Sequence, residues 1–275
     1  MFKIMKWVGL IFGVLVCLAI AASLALYPMG MKRLTQSYPN IAVETVNIPT
    51  GPDAVTRGKH VAILWGCSKC HGEGMSGKLL TNDPILGTIP ASNLTSGQGG
   101  IAQPYTDTDW IRAIRHGVKP SGRVEVFMYD YYSTLSDQDL GDLIAYLKQI
   151  PAVDSDFPAM RFGPVIPVAP AIGLFRPAAE LIDHGAPRPA DPAPGTTSEY
   201  GKYLSVLCAE CHSANLAKKL KNWRQADFIR ALRTGVLPDG KHLGPAMPLN
   251  TYGEMSDTEL TALWLYFQSS PSEKK

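Results

Sequence analysis

Cys67-Ser-Lys-Cys70-His71 and Cys208-Ala-Glu-Cys211-His212 are two copies of one five-residue pattern, set 141 residues apart in a chain of 275. Outward from them the chain repeats itself. Gly58-Lys-His-Val-Ala-Ile-Leu64 precedes the first copy, and Gly201-Lys-Tyr-Leu-Ser-Val-Leu207 precedes the second. Downstream, Asp109-Trp-Ile-Arg-Ala-Ile-Arg-His-Gly-Val-Lys-Pro-Ser-Gly122 matches Asp227-Phe-Ile-Arg-Ala-Leu-Arg-Thr-Gly-Val-Leu-Pro-Asp-Gly240 at an offset of 118, and Ser136-Asp-Gln-Asp-Leu140 matches Ser256-Asp-Thr-Glu-Leu260 at 120. Each serine followed three residues later by an acid reads as a helix N-cap. The apolar positions beyond, Leu140, Leu143, Ile144 and Leu147 or Leu260, Leu263, Trp264 and Phe267, have helical spacing. The change of offset from 141 to 118 leaves 23 extra residues in the first repeat. They include a Gly-, Ser-, Thr- and Asn-rich stretch from Gly87 to Gly100, read as a long polar loop, which in a compact domain is often functional.

The ends of the repeats divide the chain into residues 1–31, 50–152, 153–194 and 195–275. Trp7 to Tyr27 is an uncharged, almost wholly apolar run preceded by Lys3 and Lys6. It is long enough to span a bilayer, and the flanking lysines predict that all beyond it lies on the outer, periplasmic side of the cytoplasmic membrane. Ala19-Ile-Ala21 and Ser23-Leu-Ala25 also fit a cleaved signal segment. Either reading exports the rest, and a chain beginning after Met31 is expected to fold, because neither repeat draws on the run. Residues 153–194 hold nine of the 22 prolines, so this is a linker, apolar enough to lie along the domains. A formal charge of +2 with dispersed basic residues excludes a nucleic-acid binder that works by neutralising phosphates. Five cysteines, four of them in the repeated pattern, make a disulfide scaffold a poor account.

A Cys-x-x-Cys-His run in an exported protein reads as covalent attachment of a c-type haem, with both thiols on the haem edge and the imidazole on iron. Zinc would need four ligands from one cluster, a thioredoxin-like pair would need a βαβ context, and a plain disulfide gives no reason for the histidine to recur. Two motifs predict two covalent haems. A second axial ligand is supplied in each repeat by a methionine at nearly the same distance beyond the matched block, Met128 after Gly122 and Met247 after Gly240. Met75 and Met160 are fallbacks for Met128, and His242 for Met247. Cys17 lies in the membrane run and is no ligand. Arg112 and Arg230, with Arg115 and Arg233 on the same helical face, are candidates to neutralise haem propionates. Lys218, Lys219 and Lys221 form a small basic cluster best read as a solvated loop. His60, His116 and His184 recur in no matched position and read as surface or core residues.

Helix, Cys-x-x-Cys-His, loop, methionine and closing helix resemble the class I c-type cytochromes, and the duplication resembles their diheme members and the cytochrome subunits of membrane-bound dehydrogenases. The resemblance covers both repeats and not the linker. It implies an all-α chain with two tandem class I cytochrome c domains after an N-terminal transmembrane helix, joined by the proline-rich linker. It further implies that Gly58 and Gly201 sit where the first helix of each domain crosses the last. The function implied is a membrane-anchored diheme carrier of electrons between a dehydrogenase or respiratory complex and a downstream acceptor. It is thus an electron-transfer protein with redox partners and not an enzyme in its own right. The alternative is a diheme haem enzyme, such as a peroxidase, with one open iron site. Having two motifs departs from the triheme dehydrogenase subunits.

Overall fold

The computed structural model describes residues 2–209, 211–212 and 216–269. In chain order the helices are α1 (Phe2–Leu34), α2 (Pro52–Leu64), α3 (Cys67–His71), α4 (Asp107–His116), α5 (Asp137–Gln149), α6 (Val168–Ala171), α7 (Ala178–Leu181), α8 (Ser198–Leu204), α9 (Val206–Ala209), α10 (Leu216–Leu220), α11 (Gln225–Thr234), α12 (Leu249–Tyr252) and α13 (Asp257–Ser269). Three strands, β1 (Lys78–Asp83), β2 (Gly87–Ala91) and β3 (Arg161–Phe162), form one antiparallel sheet in that order. The chain gathers into two compact units, Met1–Glu44 with Cys70–Asp130 and Pro151–Gly185, and Thr45–Lys69 with Tyr131–Ile150 and Ala186–Lys275.

The sheet is what the all-α expectation did not contain, and it occupies the 23-residue insertion. Asp83 Oδ1 accepts from the amides of Ile85 and Leu86 at 2.8 and 3.0 Å, which closes the turn between β1 and β2. The proline-rich stretch adds β3 at the edge, where proline does least harm. Beyond β2 the supposed polar loop is fixed by buried Asn93 and Thr95, whose side chains donate to the Val153 carbonyl at 2.8 and 3.1 Å. Asn93 Oδ1 accepts in turn from Thr95 N at 2.9 Å. Alternation could not predict this, because the strands are short and β3 comes from far along the chain, Thr88 pairing with Arg161.

In the same unit α4 starts at a capping box, Thr106 and Asp109 each accepting from the other's amide, worth about 1 kcal/mol. The linker covers apolar ground as expected. Phe162, Ile166 and Phe175 lie on a cluster of Leu34, Val118, Val124, Val126 and Ala179. Helix α1 runs to Leu34, seven residues past the apolar run, and by length and composition it can cross a membrane. Leu34 is buried, and a Cβ on Gly30 would fall 1.6 Å from the Pro167 carbonyl oxygen. Gly30 on Pro167 and Met31 on the cluster around Leu34 tie the end of that segment to the unit beyond, which corrects the idea that the unit owes nothing to the residues before 32.

In the second unit α2 lies against α5 and α8 against α13. A Cβ on Gly58 would stand 1.9 Å from the Asp142 carbonyl oxygen, and one on Gly201 would stand 1.9 Å from that of Ala262. No other residue type fits, so both crossings are set by glycine, as the resemblance implies. Arg57 holds buried Asp142 through two hydrogen bonds of 2.6 and 3.0 Å. His60 of α2 meets Glu259 of α13 at 2.9 Å, and Tyr203 of α8 donates to Asp139 of α5 at 2.5 Å. Helices bracketing the first motif and those of the second repeat thus share one compact unit.

Candidate haem site

The first motif is itself helix α3, so Cys67, Cys70 and His71 occupy one turn at i, i+3 and i+4. The second follows the same course. The amides of Cys211 and His212 both donate to the Cys208 carbonyl, at 3.3 and 2.8 Å. Burial, with Cys211 alongside, pushes the Cys208 thiol up to about 12, whereas a thioredoxin-like pair needs a lowered thiol.

His71 Nδ1 lies 2.8 Å from the Ser92 carbonyl oxygen. A carbonyl only accepts, so Nδ1 carries the proton and Nε2 presents a lone pair. Burial holds this imidazole below its ordinary pKa against the Ser92 bond, which keeps the ring neutral. A neutral histidine oriented through its other nitrogen is what an iron ligand requires. Ser92 was not foreseen, since a backbone carbonyl leaves no trace in residue type.

The matched blocks fold alike beyond their helices. Gly117 at φ +63° ends α4 and Gly235 at φ +76° ends α11, both in the left-handed region that glycine alone enters without cost. Each is followed by a tight hairpin. Lys119 N donates to Arg123 O at 2.7 Å and Glu125 N to Gly117 O at 2.7 Å, while Leu237 N donates to Lys241 O at 2.8 Å and Leu243 N to Gly235 O at 2.8 Å. Half-buried Met128 and Met247 follow these hairpins. Met247 is braced by its amide on Gly244 O at 3.0 Å and its carbonyl under Leu249 N at 2.9 Å. A tyrosine beyond each methionine ties the segment back to the approach to the motif, Tyr132 Oη to Trp65 O at 2.9 Å and Tyr252 Oη to Leu207 O at 2.8 Å.

Arg112 lies 3.9 Å from Asp109 and Arg230 3.0 Å from Asp227, each beside the acid one turn back. Arg115 pairs with Glu44 at 2.5 Å and Arg233 with Asp257 at 2.9 Å. Of the fallback ligands, Met75 is buried in the left-handed region at φ 55°, Met160 is exposed on the linker and His242 is exposed on its hairpin. Lys218, Lys219 and Lys221 are exposed, consistent with a solvated cluster. His116 joins His184 at 3.1 Å and Glu44 at 3.0 Å, which accounts for two histidines outside the motifs. Trp110 Nε1 is buried without a hydrogen-bond partner. Such an orphaned indole N–H on α4 is a donor that an anionic group could satisfy.

These features fit a haem: two thiols and an imidazole on one turn, a ligand nitrogen kept neutral and aimed, and an unmet donor. Residues 55–151 match the cytochrome c family model. Over 260 residues the chain is 24% identical to the fructose dehydrogenase cytochrome subunit of Gluconobacter japonicus, covering 80% of this chain and 53% of that one. It is 30% identical over 179 residues to the alcohol dehydrogenase (quinone) cytochrome c subunit of Gluconacetobacter polyoxogenes, covering 59% and 37%. Over 264 residues it is 24% identical to a diheme cytochrome c-type protein of Cereibacter sphaeroides, covering 79% and 86%. The chain thus spans about half or less of the length of the two dehydrogenase subunits. Over residues 55–151 the chain is thus similar to the cytochrome c family, and that likeness implies a covalently held haem.

Proposed function

We propose that the chain is a diheme electron-transfer cytochrome, held to the membrane by α1 with its haem-bearing units on the outer face, and serving as the cytochrome component that takes electrons from a dehydrogenase. The observation that carries the reading is the repetition, at both motifs, of the same turn, the same hairpin and the same tyrosine tether. The tandem arrangement, 50–152 and 195–275 around the 153–194 linker, is inferred from that repetition. The cytochrome subunits among the relatives favour a carrier, and nothing in those relatives supports the peroxidase alternative.

The haem, when bound, supplies an iron that changes valence by one electron. Cys67 with Cys70 would hold one haem covalently and Cys208 with Cys211 a second. His71 and His212 would each supply an imidazole ligand, with Ser92 fixing the tautomer of the former. Met128 and Met247 would each supply a thioether as the second ligand, which would favour the ferrous state and leave no site for a small substrate. Arg112, Arg230 and the Trp110 indole lie on the helices assigned to the propionates. Carbon monoxide added to the reduced protein is expected to leave both haem spectra unchanged. Met128→Ala and Met247→Ala should each abolish one sulfur-to-iron charge-transfer band. Rapid binding of carbon monoxide at the first haem, lost in Cys67→Ala, overturns the carrier reading.

A further inference from the structure

The last turn of α1 rests on α6, with Arg33 Nη1 donating to the Pro170 carbonyl at 2.9 Å and Gly30 pressed on Pro167. Helix α6 ends in two reversed hydrogen bonds, Gly173 N to Pro170 O at 3.2 Å and Leu174 N to Ala169 O at 2.9 Å, around Gly173 at φ +79°. In this helix ending the residue after the glycine commonly folds its apolar side chain back over the final turn. Leu174 does the opposite. It is 79% exposed, with Ile172 at 53% and Val165 at 49%. An open groove of about 800 Å³, lined by Met29, Lys32, Arg33, Ser37 and Ala171, joins the end of α1 to this turn.

We propose that the α6 turn is a membrane foot: Ile172 and Leu174 enter the outer leaflet beside α1, and Lys32 reaches the phosphate of an anionic phospholipid in the groove. The inference rests on α1 being the membrane anchor. Lipid is the occupant because the patch continues α1, whose exposed apolar side chains run from Ile4 to Met29 and end against it. The polarity changes in the order a bilayer surface imposes. Apolar Met29 is followed by basic Lys32 and Arg33 and then by Thr35, Gln36 and Ser37. One helix alone leaves the attached unit free to turn about it, and a second contact fixes its face toward the membrane.

The test uses the full-length holoprotein with Cys17→Ser, carrying one spin label at a time at Leu174→Cys, Ile172→Cys, Leu86→Cys or Val14→Cys. Each is reduced and embedded in phosphatidylethanolamine nanodiscs with or without phosphatidylglycerol. Labels at 172 and 174 should collide with dissolved oxygen, relative to a water-soluble nickel chelate, severalfold more often than the label at exposed Leu86. Adding Lys32→Glu should shrink that ratio only where phosphatidylglycerol is present. Labels at 172 and 174 that match Leu86 while Val14 reads lipid overturn the foot and leave the anchor standing. A water-exposed label at Val14 overturns the anchor, and the foot with it.

Discussion

Around the first motif α2 and α5 cross at a glycine where a Cβ would stand 1.9 Å from a carbonyl oxygen, and around the second α8 and α13 do the same. The surroundings differ. After His71 the chain detours through β1, β2 and the Asn93–Thr95 clamp before reaching α4, and on the way it places the Ser92 carbonyl on the His71 imidazole. After the second motif it passes through α10 straight to α11. Trp110 in the first repeat becomes Phe228 in the second, and Arg112 is 25% exposed where Arg230 is 42%. The motif turn and the helix crossing are thus kept, while hydrogen bonding and solvent access differ. Those are the levers that set reduction potential.

The equivalence of the motifs breaks first under thiol replacement. On the proposed diheme reading, Cys67→Ala and Cys208→Ala should each remove one of two covalent haems, read by mass spectrometry of the denatured chain. Loss of both from either change would mean that the repeats do not load independently. Next in size are the crossings. Gly58→Ala and Gly201→Ala both drive a methyl into a carbonyl, so each should cost at least the roughly 1–3 kcal/mol of overpacking in urea unfolding. A much smaller cost at Gly201 would show that the second crossing is the looser one.

The sharpest test of the difference is Asn93→Ala. It releases the Val153 clamp one residue from Ser92, at about 1–3 kcal/mol for buried partners left unmet. It should perturb the paramagnetic shifts of the first haem's histidine and leave those of the second in place. Equal perturbation of both would remove the insertion from its assigned role.

Two pH effects are smaller. Glu44 is pushed up by burial, yet hydrogen bonds from Arg115 and His116 outweigh this and hold it at about 2. Its contribution is present above pH 4.5 and fades as pH falls from there toward 2, so Glu44→Gln should flatten acid unfolding in that window. His60 is raised by its bond to Glu259, so its contribution is complete below about pH 6.5 and is lost as pH climbs through its elevated value. Because the His60 side chain is 37% exposed, His60→Gln should remove no more than about 1 kcal/mol. A stability that His60→Gln leaves unchanged at about pH 6.5 and just below would show that the α2 and α13 helices are not joined through this pair.

Much of this was legible where a residue type has a single physical use. Gly58 and Gly201 marked the crossings, Ser136 capped α5 through Asp139 N at 3.1 Å, and the cysteine spacing marked the turn of α3. What escaped the sequence rests on partners far along the chain or on backbone atoms. Ser92 acts through its carbonyl, β3 is recruited from a proline-rich stretch with no strand pattern, and His60 reads as a plain surface histidine until Glu259 faces it. The end of α1 escaped for another reason. Hydropathy marks where a bilayer would stop, while Pro167 and Pro170 decide where the helix does.

The pairing of His60 with Glu259 joins residues 199 apart. As the chain folds, α2 can meet α5 once residue 149 is available, but its bond to α13 waits for residue 259. The α2 and α5 pair therefore stands without its third helix until then, and closure around His60 is timed by the arrival of α13.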